Sequence, residues 1–270
     1  MSQTAHEAKG VHYPESDEMG ESMMQRIIAE LLRPLLARFL ADRGERAFVG
    51  ADQFIYWSEG DATKRVAPDV YVIPGEDPSA MPRSWLLWEH DRGPSFALEI
   101  VGRDVLKDYE DAPNEYKQLG VEELVVFDPE PNEHPRSNRV RWQVWRAVKR
   151  RGFVRVLSSN GDRVECASLG CWLRVVGEGA AQRVRLAVGP HGDELVLTDA
   201  ERAEREREEK EREREEKERE REEKEREREE KEREREEKER ERERFERERA
   251  ELEAEITRLR AERDRLKARG

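Results

Sequence analysis

The chain has 270 residues, 43% of them charged and 35% hydrophobic, with a formal net charge of −12. This balance supplies apolar material for about one ordinary domain and excludes a packed core running the whole length. No stretch approaches the roughly 18 continuous apolar residues of a membrane helix, and the opening MSQTAHEAKG has neither the basic nor the apolar region of a leader. We therefore expect a cytoplasmic protein with no membrane partner.

In chain order, residues 1–18 are polar and acidic around Pro14 and read as a flexible arm. Met23, Ile27, Ile28, Leu31, Leu32, Leu35, Leu36 and Phe39 then recur at three- and four-residue steps, predicting an amphipathic helix over 19–42. Pro34 should kink it or break it in two. Short runs rich in Val, Ile, Phe, Tyr and Trp follow between Gly, Pro and acidic clusters, predicting strands at 47–50, 53–57, 66–73, 85–88, 95–101 and 123–127. Between the last two, Tyr109, Ala112, Tyr116 and Leu119 have helical spacing with Gly120 as a stop, so this helix should cross between neighbouring strands. A polar loop over 129–138 precedes further strands at 140–148, 153–157, 172–176, 183–188 and 194–197, read as an antiparallel extension. The whole, residues 19–197, is an α/β domain. Cys166 and Cys171 have no partner pair and no histidine at ligand spacing, so both read as reduced packing residues.

The tail, 198–270, is different. Positions 201–270 hold 31 acidic and 27 basic residues, which cannot enclose a core. Thr198 and Glu201 fit a capping box at a helix start, and the unit EREREEK then repeats with Lys at 210, 217, 224, 231 and 238. A coiled coil needs two apolar positions in seven, and most of the tail has none. Pairs such as Glu213 with Lys217 and Glu215 with Arg219 predict instead a long charged single helix held by contacts along itself. Only Phe245, Leu252, Ile256, Leu259 and Leu266 form a seam, which would permit a homodimer through 245–266.

Chemistry concentrates at Pro68-Asp69-Val70 and, thirty residues on, at Phe96-Ala97-Leu98-Glu99-Ile100-Val101. Glu99 is a lone acid in an apolar strand, and a buried carboxylate must be paired, neutralised or bound to metal. Two carboxylates from adjacent strand ends make an oxygen-rich site suited to Mg²⁺. Each has a plainer reading: Asp69 as a turn cap after proline, Glu99 as a buried partner of Arg65 or Arg103. Six tryptophans read as packing rather than base platforms. Arg146, Lys149, Arg150 and Arg151 form a basic patch near a hairpin tip, a candidate phosphate contact.

The series VAPDVYVI, PSFALEIV and KDYEDAPNEYKQLGVEELVVFDPE resembles the Uma-type family of putative restriction endonucleases, of the PD-(D/E)XK nuclease superfamily, over roughly residues 21–197. The resemblance implies a restriction-endonuclease-like core, a mixed β-sheet flanked by helices, and Mg²⁺- or Mn²⁺-dependent endonuclease action on the phosphodiester bonds of DNA. Asp69 matches the aspartate of the PD motif and Glu99 the second acid, with the Ile100 carbonyl as a further metal ligand. The superfamily places a lysine two residues after the second acid, where this chain has Val101. Relatives offer one from the following helix, where this chain has Ala112. Lys107 is the best substitute, Lys117 the next, although Lys107 also fits a solvated helix end. Glu21, near the start of the first helix with Gln25 one turn along, is the candidate extra acid. The missing lysine keeps a second reading open, a catalytically degenerate scaffold or interaction module on a charged stalk, and a third makes the tail the functional part.

Overall fold

The protein is described by a computed structural model covering residues 6–8, 11–13, 23–90, 92–102, 107–131 and 139–267. Strands β1 (His6–Ala8) and β2 (Val11–Tyr13) pair antiparallel, and helix α1 (Met23–Asp42) follows. Then come β3 (Ala47–Gly50), β4 (Ile55–Tyr56), β5 (Arg65–Val66), β6 (Val70–Pro74), β7 (Trp85–Leu86) and β8 (Phe96–Ile100). A π-helical turn (Lys107–Asp111) runs into α2 (Ala112–Leu119), followed by β9 (Glu123–Phe127), β10 (Trp142–Val148) and β11 (Gly152–Ser159). Strands β12 (Arg163–Cys166), β13 (Cys171–Val176), β14 (Arg183–Val188) and β15 (Glu194–Leu195) precede helix α3 (Asp199–Lys267). The chain divides into two compact units, Met1–Asp199 and Ala200–Gly270.

The first unit is built on a six-stranded mixed sheet, ordered β11-β10-β9-β8-β6-β3. Neighbours are antiparallel except β8 and β9, which run parallel because the π turn and α2 carry the chain across between them. Strand alternation sorts the core into two layers. Val70, Val72, Phe96, Leu98, Ile100, Val125 and Phe127 face α1 and the four-stranded sheet β12-β13-β14-β15. Tyr71, Ile73, Ala97, Leu124 and Val126 face α2 and the three-stranded sheet β5-β4-β7.

Helix α1 buries Ile28, Leu32 and Leu36 completely, one face of a 3.6-residue period. Each such side chain contributes about 1.5–3 kcal/mol relative to exposure. The helix continues through Pro34 rather than breaking there, since the apolar face on both sides of Pro34 packs into one core.

The predicted strand over 66–73 is two strands in different sheets. Pro68 has no N–H to give a ladder, and the chain leaves β5 before it and enters β6 after it. The expected antiparallel extension is likewise divided: β10 and β11 complete the main sheet, whereas β12–β15 form a sheet of their own. Glu123, 1% exposed at the start of β9, joins the two. It accepts hydrogen bonds from Arg146 Nε, from the Ala167 and Ser168 amides, and from Ser168 Oγ.

Pro113 shapes the crossover. Without an N–H it cannot bond the carbonyl four residues back, that of Tyr109, and the preceding turn takes the wider π form. Gly120, at φ 84°, closes α2 in the left-handed conformation, its N–H donating to the Tyr116 carbonyl at 3.0 Å.

The second unit is one helix. Its i to i+4 pairs include Glu213 with Lys217 and Glu215 with Arg219, both at 3.6 Å. Phe245, Leu252, Ile256 and Leu259 are exposed along it.

Candidate functional site

Strands β6 and β8 are antiparallel with Val70 opposite Leu98 and Tyr71 opposite Ala97. One step further, that register sets Asp69 opposite Glu99. The Pro68 carbonyl, which the same register sets opposite Ile100, accepts the Asp52 N–H at 2.9 Å instead, and the Asp69 side chain takes the Ile100 N–H at 2.5 Å with Oδ2. Asp69 is 5% exposed. Glu99 alternates with Leu98 and Ile100 and so points to the α2 side, where Tyr116 Oη donates to its Oε1 at 2.5 Å. The Asp69 and Glu99 carboxyls lie close enough for each to act on the ionisation of the other.

The electrostatics follow from this crowding. Burial pushes the Asp69 carboxyl well above its usual range, and the Glu99 charge pushes it further, with the Ile100 N–H opposing. Burial pushes Glu99 up to about 7, with the Asp108 charge adding to it and the Tyr116 hydrogen bond and the Lys107 charge opposing. The Tyr116 hydroxyl is held far above its normal pKa by its own burial and then by the Glu99 charge. It therefore acts as a fixed donor. A carboxyl pair in this condition holds a proton near neutral pH, and a cation would displace it.

Of the sequence-predicted residues, Asp69, Glu99 and Ile100 come together. Lys107 is exposed on the π turn, yet its charge acts on Glu99 and on Glu115. Lys117 is exposed on α2. Glu21 and Arg103 lie outside the described residues. Val101 and Ala112, the two places where a lysine is expected, are 4% exposed within the apolar layer under α2. Arg65 does not pair with Glu99: its guanidinium lies over Phe54 at 4.5 Å and donates to the Ala62 carbonyl.

Several participants, or the parts they play, escape a sequence reading. Gln25 on α1 donates through Nε2 to the Ile100 carbonyl at 2.8 Å, so Ile100 is gripped at both its N–H and its C=O. Gly102 leaves room for that amide, since a Cβ there would stand 3.3 Å from Gln25 Nε2. Asp108, 7% exposed, accepts the Gly102 N–H at 2.9 Å and adds negative charge beside both carboxyls. Asp52 contributes more, from a left-handed backbone at φ 50°. Tyr116 has the spacing of a core residue and carries a polar tip that only the fold reveals.

The parallel end of the sheet is braced by Asp128, which follows β9 and is fully buried. Arg139 binds it with two nitrogens at 2.6 and 2.7 Å, and Tyr109 Oη of the π turn donates to it at 2.7 Å. Tyr109 thereby ties the turn bearing Lys107 and Asp108 to the end of β9.

The donor set suits a hard cation. Among the described residues no group of three or more His, Cys, Asp or Glu side chains forms a metal cluster, so the protein offers a carboxylate pair and a carbonyl. Mg²⁺ keeps several waters and typically takes one or two carboxylates, so a pair fits it, whereas the all-protein cages of other ions need more ligands.

No helix among the described residues is long and apolar enough to cross a membrane. Comparison with curated proteins gives no significant match. Among solved structures, the chain is similar to a "putative nuclease belonging to DUF820" from Anabaena variabilis ATCC 29413, at 11% identity and a TM-score of 0.39, covering 60% of this chain and 80% of that one. A family model described as "Putative restriction endonuclease", Uma2, matches residues 18–175, more than half of the sequence, and the chain belongs to that family.

Proposed function

We propose that the protein is a divalent-metal-dependent endonuclease that hydrolyses phosphodiester bonds in DNA, with Asp69 and Glu99 at its centre. The observation that carries this reading is the meeting of a buried carboxyl, Asp69, and a half-buried one, Glu99, from adjacent strands, both held above their ordinary pKa. Asp69, Glu99 and the Ile100 carbonyl would hold Mg²⁺ or Mn²⁺. The ion would supply charge neutralisation at the scissile phosphate and acidify a water beside it.

The protein's own groups do the rest. The Ile100 N–H fixes Asp69, Tyr116 fixes Glu99, and Gln25 orients the Ile100 carbonyl, so the three oxygens are preorganised and need little rearrangement. Glu99, about neutral in pKa, gives up its proton as the site is filled. Lys107, exposed at the mouth of the crossover, would orient the attacking water and offset the charge that develops on the phosphate. Glu21 remains a proposed accessory acid.

The test is cleavage of duplex and single-stranded DNA with and without Mg²⁺ or Mn²⁺, comparing the natural chain with Asp69→Ala. Metal-dependent cutting that Asp69→Ala abolishes supports the reading, and equal cutting by that variant ends it. One observation favours a second reading, a non-catalytic scaffold: Val101 and Ala112 are sealed in the apolar layer where a lysine is expected. A scaffold would bind no divalent ion through Glu99. We also propose a weak homodimer through 245–266, and an intracellular, cytoplasmic setting in which DNA is the partner.

A further inference from the structure

The stretch 134–161 is the longest in the chain without Asp or Glu, and it carries eight Lys and Arg residues in 28 positions of a protein whose net charge is −12. Two of the eight are neutralised inside the fold, Arg139 by Asp128 and Arg146 by Glu123. The expected patch therefore loses Arg146. Lys149, Arg150, Arg151 and Arg155 make no ion pair among the described residues.

Their placement is directional. The first three form the tip of the β10–β11 hairpin, with Arg150 at φ 68° turning the chain. Arg155 sits opposite Trp145 on β11, beside a bulge. Its guanidinium lies over the Trp145 ring at 5.7 Å and donates to Gln143 Oε1 at 3.4 Å, and Phe153 stacks on the same indole at 6.3 Å. A charged side chain on an exposed edge strand is thus held down against one sheet face.

That face is the one bearing Glu99. The register runs Glu99 to Val126, Val126 to Gln143, and Gln143 to Ser158, one row across four strands. At about 4.8 Å between strands and 3.3 Å per residue, Arg155 stands roughly 16 Å from Glu99 and the tip roughly 20 Å or more. At 3.4 Å of axial rise per nucleotide, those spans correspond to about five to seven base pairs. An acidic protein whose reacting centre is itself acidic requires such a strip to retain a polyanion against its own field.

We propose that this face of the β10–β11 hairpin, Arg155 with Lys149, Arg150 and Arg151, is a nucleic-acid contact that grips backbone phosphates leading away from the acid pair. The proposal rests on the nuclease reading for what lies at the acid pair. The grip is sequence-independent, since phosphates carry no base information.

The test is fluorescence anisotropy of a labelled duplex of about 20 base pairs with the full-length chain, in chelator and over a range of NaCl. Three proteins are compared: the natural chain, Lys149→Gln/Arg150→Asn/Arg151→Gln, and Arg155→Gln. Asparagine tolerates the left-handed position at 150. The triple variant is expected to bind about tenfold or more weakly near 100 mM salt, with a log–log salt slope shallower by about 3, and Arg155→Gln with a slope shallower by about 1. Both should melt as the natural chain does, since these side chains are on the surface. Unchanged affinity and slope in correctly melting variants would overturn the proposal. Loss of binding in the variants of a protein that never cuts DNA would leave the contact standing and the nuclease reading fallen. Cutting by a natural chain whose variants bind and cut equally well would do the reverse.

Discussion

Glu99 contributes to stability with a sign that can be worked out. Its folded-state pKa is raised from 4.5 to about 7, so the fold prefers it protonated. It costs nothing below about pH 4.5, and the cost grows as pH rises until it is complete above about 7. Glu99→Gln keeps an acceptor for Tyr116 and removes the charge. Without metal, this variant should be more stable than the natural chain by about 2–3 kcal/mol at pH 8 and equal to it near pH 4, read by thermal melting. Tyr116→Phe should do the opposite, lowering stability at pH 8 by about 1–3 kcal/mol because the half-buried carboxylate loses its donor. The acids themselves were legible in the sequence, because a carboxylate in an apolar run and one after a strand-breaking proline are each unusual. Their partners were not. Tyr116 falls at a helical spacing that reads as packing, Gln25 stands out only as a neighbour of Glu21 along the first helix, and their polar atoms acquire meaning only when α1 and α2 are laid on the sheet.

At the scale of elements, the six-stranded sheet and its crossover follow from patterns the sequence displays: alternation over 96–100, the strand over 123–127, and helical spacing closed by Gly120. The division into two sheets was hidden, because a run of antiparallel strands reads the same whether it continues one sheet or starts another. What decides it is Glu123, an acid that strand patterning would place at a solvated end and the fold places at the seam between sheets. Glu123→Ala should strand Arg146 and three donors, costing about 3–5 kcal/mol in urea unfolding. Asp128→Ala should cost as much for the same reason, and should also loosen the π turn through Tyr109. In that variant, hydrogen exchange should quicken at residues 107–111 before it quickens in β8.

For the whole molecule, composition alone separated a domain with a core from a tail without one. Every tail side chain described is exposed, and 69 residues of helix at about 1.5 Å each extend about 100 Å. A chain ending at Asp199 should therefore melt within a degree or two of the full-length protein while losing most of its helical circular dichroism. A Leu252→Glu change should leave the monomer intact and abolish any concentration-dependent sedimentation through the seam. The central claim is that the folded unit exists to hold a divalent ion between Asp69 and Glu99, and titration calorimetry of the full chain with Mg²⁺ or Mn²⁺ tests it most directly. We predict one site whose binding releases about one proton near pH 7, tightens as pH rises through that value, and is lost in Asp69→Asn. Heat that is absent in the natural chain, or that survives in Asp69→Asn, would contradict it.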